Sequence, residues 1–225
     1  MALAVFDLDG TLVDTAPDLC ASLNACLSFA GMPAIDLDVV RPHAGHGARV
    51  MLAKAYERQN RPLPATEADE QLARFLGHYE AHIADTSRPF PGAVAAMDRL
   101  TEDGFKLAIC TNKTEKLARL LMEALGLAGR FAAICGADTF TARKPDPIHL
   151  LGTIARVGFG RRDAVMIGDT STDTDAAQAA RVPSILVDFG YAPDERARRE
   201  ASAVISGFTE LDAALCRRLI RSMPD

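Results

Sequence analysis

Two aspartates, Asp7 and Asp9, directly follow an apolar run in the opening segment MALAVFDLDGTLVDT. Their carboxylates repel each other, so a pair of acids at one strand end needs a chemical reason. Because alternate side chains of a strand share a face, both carboxylates can reach one substrate while Leu8 packs away from it. Gly10 permits the tight turn that follows. Taken alone, the pair could also be an acidic strand-to-turn junction.

Polar side chains also follow two later apolar runs. KLAICTN ends in Thr111 and Asn112, and AVMIGD ends in Asp169, with Asp173 four residues further on. A loop between these two runs carries Lys144. Ligands of an open parallel sheet bind outside the carboxyl ends of its strands, so we expect these side chains to meet the opening aspartates there.

Such a convergence of acids predicts a cation among them. Several carboxylates at one point are strongly unfavourable unless a cation neutralises them or one of them is protonated. Oxygen ligands without histidine or cysteine suit Mg²⁺. A lysine and a hydroxyl group beside the metal suit a phosphoryl group. One acid would then attack the phosphorus, and the other would protonate the leaving oxygen and afterwards activate water.

An α/β core positions these residues. Five short apolar runs have the character of strands buried on both faces. Strand and helix patterns alternate from about residue 90 onwards, which predicts a parallel sheet covered by helices. Between them, residues 16–88 contain no such run and are predicted to form three or four helices. We therefore expect a discontinuous core of residues 1–15 and 89–225, with a helical cap of residues 16–88 inserted after the first strand.

The predicted cap contains a cationic cluster in the stretch RPHAGHGARVM. A loop broken by glycines would open a helix with Arg49 in its first turns, facing the site and available to a substrate carboxylate. Arg49 and His46 are therefore candidate substrate-binding residues. The alternative is a solvated turn between helices, in which the histidines have no function.

Composition limits the partners. The formal net charge of −5 and the pI near 5.6 argue against nucleic-acid or anionic-membrane partners. No apolar run approaches the ~20 residues that a membrane helix needs, and the N-terminus does not resemble a signal peptide. The five cysteines are scattered and show no CxxC spacing, which predicts reduced thiols in a cytoplasmic protein. We expect a monomer or a homodimer.

Four motifs together carry a family resemblance. DLDGTLVDT, CTNK, RKPDP and GDTSTD occur in the order and spacing of the haloacid dehalogenase-like superfamily, and the chain resembles that superfamily over nearly its whole length. The resemblance implies a Rossmann-like core with a helical cap that acts as a lid. It also implies assigned roles: Asp7 as nucleophile, Asp9 as general acid and base, and Thr111 and Lys144 on the phosphoryl oxygens. The strand-end residues Asn112 and Gly10 join them as phosphate-binding candidates.

The same resemblance implies a metal site and a reaction. Asp7, the backbone carbonyl of Asp9, and Asp169 would hold Mg²⁺, while Asp173 would orient its water ligands or Lys144. True dehalogenases of the superfamily lack an acid two residues after the nucleophile, so Asp9 indicates phosphate chemistry.

More narrowly, the chain resembles the phosphoglycolate phosphatase branch, through segments such as RPFPG and GADTFTARKPDP. This implies hydrolysis of 2-phosphoglycolate. The alternatives are a phosphatase of pyrophosphate, a nucleotide or a sugar phosphate, then a phosphomutase or a phosphorylatable signalling protein.

Overall fold

The computed structural model describes residues 1–222, apart from the side chain of His46. Within this range the chain forms eight strands and ten α-helices. The strands are β1 (Ala2–Phe6), β2 (Val13–Asp14), β3 (Arg88–Pro89), β4 (Phe105–Cys110), β5 (Ala133–Cys135), β6 (Ala164–Gly168), β7 (Ser184–Val187) and β8 (Ala203–Ile205). The helices are α1 (Ala16–Phe29), α2 (Leu37–Val40), α3 (Ala48–Arg58), α4 (Ala65–Ala81), α5 (Ala93–Glu102), α6 (Glu115–Ala124), α7 (Pro147–Arg156), α8 (Ser171–Ala180), α9 (Glu195–Glu200) and α10 (Ala213–Ser222).

Six strands form one parallel sheet in the order β5-β4-β1-β6-β7-β8. The central strand β1 lies between β4 and β6, with Phe6 opposite Ile109 and Ile167. Alternate residues of β1 pack into two apolar clusters, Ala4 and Phe6 on one face and Leu3 and Val5 on the other. Burial of both faces explains the unbroken apolar run that precedes Asp7. The predicted α/β fold with a parallel sheet is confirmed.

The edge strand β8 was not predicted. It has three residues, Ala203–Ile205, of which only Ile205 is buried, so its apolar run is too short to indicate a strand. An edge strand has one neighbour and needs less apolar surface than a central strand, which removes the signal on which the prediction of the other five rested.

Two chain crossings connect the sheet with residues 16–88, which we call the helical segment. The crossings pair with each other as the two-stranded antiparallel sheet β2-β3, with Val13 opposite Pro89. Next to it, the buried carboxylate of Asp18 accepts hydrogen bonds from the backbone N–H groups of Thr86 and Ser87 and from the Ser87 hydroxyl, at 2.6–3.1 Å. The chain therefore enters and leaves the helical segment at one place, beside the carboxyl end of β1. Division into two domains here stays a prediction.

The helical segment holds α1 to α4 and a 3₁₀-helix at Arg41–His46. Between that 3₁₀-helix and α3, Gly47 has φ +89°, a conformation that side chains disfavour. Arg49 is accordingly the second residue of α3. None of the described helices combines the length and apolar composition that crossing a bilayer requires.

Candidate active site

Three carboxylates converge at the carboxyl edge of the sheet. Asp7 follows β1, Asp169 follows β6, and Asp173 lies in the first turn of α8. One oxygen from each lies within 4.8 Å of the others. The topology produces this convergence because β1 and β6 are hydrogen-bonded neighbours and run parallel, so their ends coincide.

Lys144 is the counter-charge inside this cluster. Its Nζ lies 2.6 Å from Asp173 Oδ1 and 2.9 Å from Asp7 Oδ1, and its side chain is 1% exposed. Only the contact with Asp173 has the geometry of a hydrogen bond; Asp7 Oδ1 is buried and has the Lys144 ion pair but no hydrogen-bond donor among the described residues. Burial alone would lower the pKa of Lys144, but the Asp173 and Asp7 carboxylates outweigh burial and raise it, so the lysine is charged.

Asp169 is held on both of its oxygens. Thr11 Oγ1 donates to Oδ1 at 2.9 Å, and the backbone N–H of Tyr191 donates to Oδ2 at 2.8 Å. Gly10 lies against the same carboxylate: it has φ +81°, and a Cβ there would lie 2.5 Å from Asp169 Oδ2. Glycine at this position therefore admits both the turn after Asp9 and the close approach of Asp169.

The charge balance of the cluster fits a cation. Burial, with the charges of Asp173 and Asp9 added, raises the pKa of Asp7 to about 6 even though Lys144 opposes the shift. Burial, with the charges of Asp173 and Asp7 added, raises the pKa of Asp169 well above its ordinary value. One lysine thus leaves net negative charge on buried oxygens, and an all-oxygen donor set suits a hard divalent ion.

Asp173 has little capacity left for that ion. Its Oδ1 accepts from Lys144, and its Oδ2 accepts from the backbone N–H groups of Asp169 and Thr170 and from the Thr170 hydroxyl. The oxygens that remain for a metal belong mainly to Asp7 and Asp169. This geometry fits an Asp173 that orients Lys144.

Asp9 is held apart from the carboxylate cluster by two donors. Thr15 Oγ1 donates to Asp9 Oδ1 at 2.5 Å, and Lys113 Nζ lies 3.0 Å from the same oxygen. Lys113 Nζ also donates to the hydroxyl of Tyr79 in α4 at 3.0 Å. Burial by itself lowers the pKa of Lys113, but the Asp9 carboxylate and Tyr79 reverse the effect and raise it. Tyr79 of the helical segment is therefore linked to Asp9 through one buried lysine, Lys113.

A cavity of about 670 Å³ opens above Asp9 and Lys144. Its size is that of a small-molecule site. Its walls come from the sheet edge and from the helical segment together. Among its lining residues are Asp9, Arg49, Phe75, Tyr79, Asn112, Lys113, Arg143 and Lys144.

The remaining candidates for substrate or phosphate binding lie in different places. Arg49 reaches the cavity wall, but its side chain is 62% exposed and its Nη2 pairs with Asp69 at 2.6 Å. Asn112 donates its Nδ2–H to the Lys144 carbonyl at 2.9 Å, and so braces the lysine loop. Thr111 is buried, with its Oγ1 accepting from the Lys113 N–H at 3.2 Å. The side chain of His46 lies outside the described part of the chain.

Some site residues lay beyond sequence reasoning. Lys113 belongs to the CTNK motif, but nothing local indicates that it pairs with Asp9. Thr15 directly follows the DLDGTLVD stretch, six residues after Asp9, so a search for hydroxyl groups close to the acids in the sequence would include it. Tyr191 is 176 residues from Thr15, and only the folded chain brings its hydroxyl to that residue.

His149 supports Lys144 from beneath. The Lys144 backbone N–H donates to His149 Nδ1 at 3.2 Å. The buried Nε2 has no partner in hydrogen-bond geometry within the described residues, although the Cys135 and Gly136 carbonyls lie near. Burial and the Lys144 charge lower the pKa of His149 to about 4. The imidazole is therefore neutral in the folded protein.

This neutral histidine predicts acid sensitivity. The folded pKa lies below the ordinary value of ~6.5, so the unfolded chain binds the proton more tightly. The contribution to stability is complete above the unfolded pKa and is lost as pH falls towards 4. Between pH 7 and pH 5 we expect His149 to remove about 2 kcal/mol from the free energy of unfolding. Urea unfolding at both pH values should show a smaller pH effect in His149→Gln; equal pH effects in both proteins would contradict the prediction.

The chain belongs to the haloacid dehalogenase-like hydrolases, whose family model matches residues 4–187. It is 49% identical to the phosphoglycolate phosphatase of Mesorhizobium japonicum, over 98% of this chain and 97% of that one. It is 45% identical to the phosphoglycolate phosphatase of Agrobacterium fabrum, over 97% and 94% of the two chains. A solved structure described as a predicted phosphoglycolate phosphatase from Haemophilus somnus superposes with a TM-score of 0.85 at 25% identity, covering 93% of this chain and 96% of that one. The family resemblance of the motifs is confirmed.

Proposed function

We propose that the chain is a Mg²⁺-dependent phosphomonoesterase that transfers the phosphoryl group to Asp7 and acts on 2-phosphoglycolate. The observation that carries the proposal is the convergence of Asp7, Asp169 and Lys144 beside a cavity that Asp9 lines. The relatives named phosphoglycolate phosphatase, which match almost the whole chain, support the choice of substrate.

The reaction has two steps. A carboxylate oxygen of Asp7 attacks phosphorus as the ester P–O bond breaks, and Asp9 gives its proton to the leaving oxygen. Asp9 then takes a proton from water, which attacks the phosphorus of the aspartyl-phosphate, releases phosphate and restores Asp7. Lys144 and the Thr111 hydroxyl stabilise the charge on the phosphoryl oxygens, with Gly10 and Asn112 shaping the turn and the lysine loop around them.

A bound Mg²⁺ would be held by Asp7, Asp169 and the backbone carbonyl of Asp9. It would supply charge neutralisation to the acids and to the phosphoryl oxygens. Asp7 Oδ1, which is buried and contacted by Lys144 as an ion pair without hydrogen-bond geometry, supports this ligand set, and the hydrogen bonds of Asp173 support its role in orienting Lys144.

The helical segment acts as a cap whose cations recognise the substrate carboxylate. Arg49 is one candidate for this contact. Arg143, on the other wall of the cavity, is a second, because no acid pairs with it among the described residues whereas Asp69 pairs with Arg49. His46 remains a proposed contributor.

The setting of the protein is part of the proposal. All five cysteines are buried and free of disulfides, which supports a reducing, cytoplasmic environment. The partner is a small phosphorylated substrate rather than a nucleic acid or a membrane, and the protein acts as a monomer or a homodimer.

Phosphate release over a substrate panel tests the proposal. The panel holds 2-phosphoglycolate, ethyl phosphate, pyrophosphate, a mononucleotide and sugar phosphates, each with Mg²⁺ or with chelator. We expect kcat/KM to be highest for 2-phosphoglycolate and turnover to vanish with chelator. Preference for another ester would overturn the substrate, and release only with a bisphosphate activator would indicate a phosphomutase.

The same panel identifies the residue that binds the substrate carboxylate. Loss of that cation should raise KM for 2-phosphoglycolate about tenfold or more and leave ethyl phosphate, which has no carboxylate, unchanged. Arg49→Gln and Arg143→Gln are compared directly. If neither variant distinguishes the two esters, the proposal that Arg49 or Arg143 binds the substrate carboxylate is wrong.

A further inference from the structure

The start of helix α1 is held by the side chain of Tyr191, which lies 176 residues after Thr15 in the sequence. Thr15 is the N-cap residue, but its hydroxyl makes no capping bond. The Tyr191 hydroxyl instead accepts the backbone N–H groups of Thr15 and Ala16 at 2.6 and 2.7 Å. The first N–H groups of a helix have no partner within the helix and need an acceptor. Here Tyr191 accepts from the N-cap residue and from the first residue of α1.

The Thr15 hydroxyl is directed to Asp9 and not to its own helix. Thr15 Oγ1 donates to Asp9 Oδ1 at 2.5 Å, while the Tyr191 oxygen lies 3.4 Å from the same Oγ1. Tyr191 donates its own proton to Asp14 Oδ1 at 2.9 Å. The phenol oxygen therefore has one donor bond and two acceptor bonds, and all three fix the backbone from which Thr15 projects.

Tyr191 is itself anchored on both sides. Its backbone N–H donates a hydrogen bond to Asp169 Oδ2 at 2.8 Å. Arg41 pairs with Asp14 at 2.7 Å and lies over the Tyr191 ring, 5.8 Å from its centroid. The side chain is buried, 7% exposed. One residue thus connects the carboxylate cluster, the start of the helical segment and Asp9.

Building on the function proposed above, we propose that Tyr191 is a positioning residue that sets the Asp9 carboxylate for proton transfer through Thr15. Its hydroxyl fixes the start of α1, and the Thr15 hydroxyl, held by that start, fixes Asp9 Oδ1. Without the phenol oxygen, the N–H groups of Thr15 and Ala16 lose their acceptor, so the start of α1 is no longer fixed and Thr15 no longer holds Asp9 in the position in which it reaches the leaving oxygen.

Leaving-group dependence tests this role. Nitrophenolate departs without a proton, whereas an alkoxide needs one from Asp9, so only an alkyl phosphate depends on Asp9 for transfer to Asp7. The experiment compares Tyr191→Phe with the wild type on the best alkyl phosphate of the panel and on p-nitrophenyl phosphate. We expect kcat/KM for the alkyl ester to fall about tenfold more than for the nitrophenyl ester, within the ~10²–10⁴-fold that general acid catalysis provides.

Three variants make the outcome decisive. Asp9→Asn should show the same selective loss more strongly. Tyr56→Phe removes a buried hydroxyl that has no hydrogen-bond partner within residues 1–222 as described, and should behave as wild type. Equal loss on both esters in Tyr191→Phe, or none, overturns the inference while the phosphatase function stands. If the wild type releases no phosphate from any alkyl ester, the proposed function fails instead. If Tyr191→Phe does not fold, Asp14→Ala removes the acceptor of the phenol proton and must show the selective loss.

Discussion

Asp7→Asn should abolish phosphate release, with kcat lowered by about 10⁴-fold or more, while the protein stays folded. The amide has no anionic oxygen to attack phosphorus, so the covalent route is closed. Burial raises the pKa of Asp7 to about 6, which shows that its ionised form is costly in this environment. The neutral amide should therefore preserve or increase the free energy of unfolding measured without metal. Steady-state phosphate release and urea unfolding check the two halves of the prediction.

A matched aspartate provides the control. Asp175 lies in the first turns of α8 and pairs with Arg196 at 2.9 Å, away from the carboxylate cluster. Asp175→Asn should retain wild-type turnover. Phosphate release by Asp7→Asn at more than a few per cent of the wild-type rate would contradict the assignment of Asp7 as nucleophile.

Lys144→Met should destabilise the protein and lower its activity. The side chain is 1% exposed and lies against both Asp7 and Asp173. Methionine keeps much of the volume but leaves those carboxylates without their counter-charge, and loss of one partner of a buried ion pair costs about 3–5 kcal/mol. The phosphoryl oxygens also lose a cation, so we expect kcat/KM to fall by about 10³-fold. Urea unfolding and the best ester of the panel measure both effects.

An exposed lysine separates this effect from loss of charge in general. Lys106 lies in β4 with its side chain exposed, and Lys106→Met should change neither stability nor turnover appreciably. A Lys144→Met protein as stable as Lys106→Met would show that the buried cluster does not depend on the lysine.

The sequence predicts the residues of this site that follow a strand. An apolar run buried on both faces ends where its sheet ends, so Asp7 and Asp169 could be placed at one edge from their runs alone. Lys144 could be added because a phosphoryl group beside a metal needs positive charge, and because the family motifs include it. The short edge strand β8 could not be found, since one buried residue makes no pattern.

Contacts across long stretches of chain could not be predicted. The bond between Lys113 and Tyr79 depends on how α4 packs over the sheet edge, and no spacing encodes that distance. The hydrogen bonds that Tyr191 accepts at the start of α1 depend equally on tertiary packing. Thr15 is the N-cap residue of α1 in the structure, yet its hydroxyl donates to Asp9 and makes no capping bond.

Trapping the phosphoryl group tests the central claim most directly. The wild-type protein is mixed with its best ester and Mg²⁺, quenched in acid within one turnover, and digested, and the phosphorylated peptide is fragmented in a mass spectrometer. We expect one phosphoryl group on Asp7 of the N-terminal peptide, absent from Asp7→Asn. A phosphoryl group on Asp9 or another residue, or turnover that leaves no phosphorylated peptide at any quench time, would contradict catalysis through Asp7.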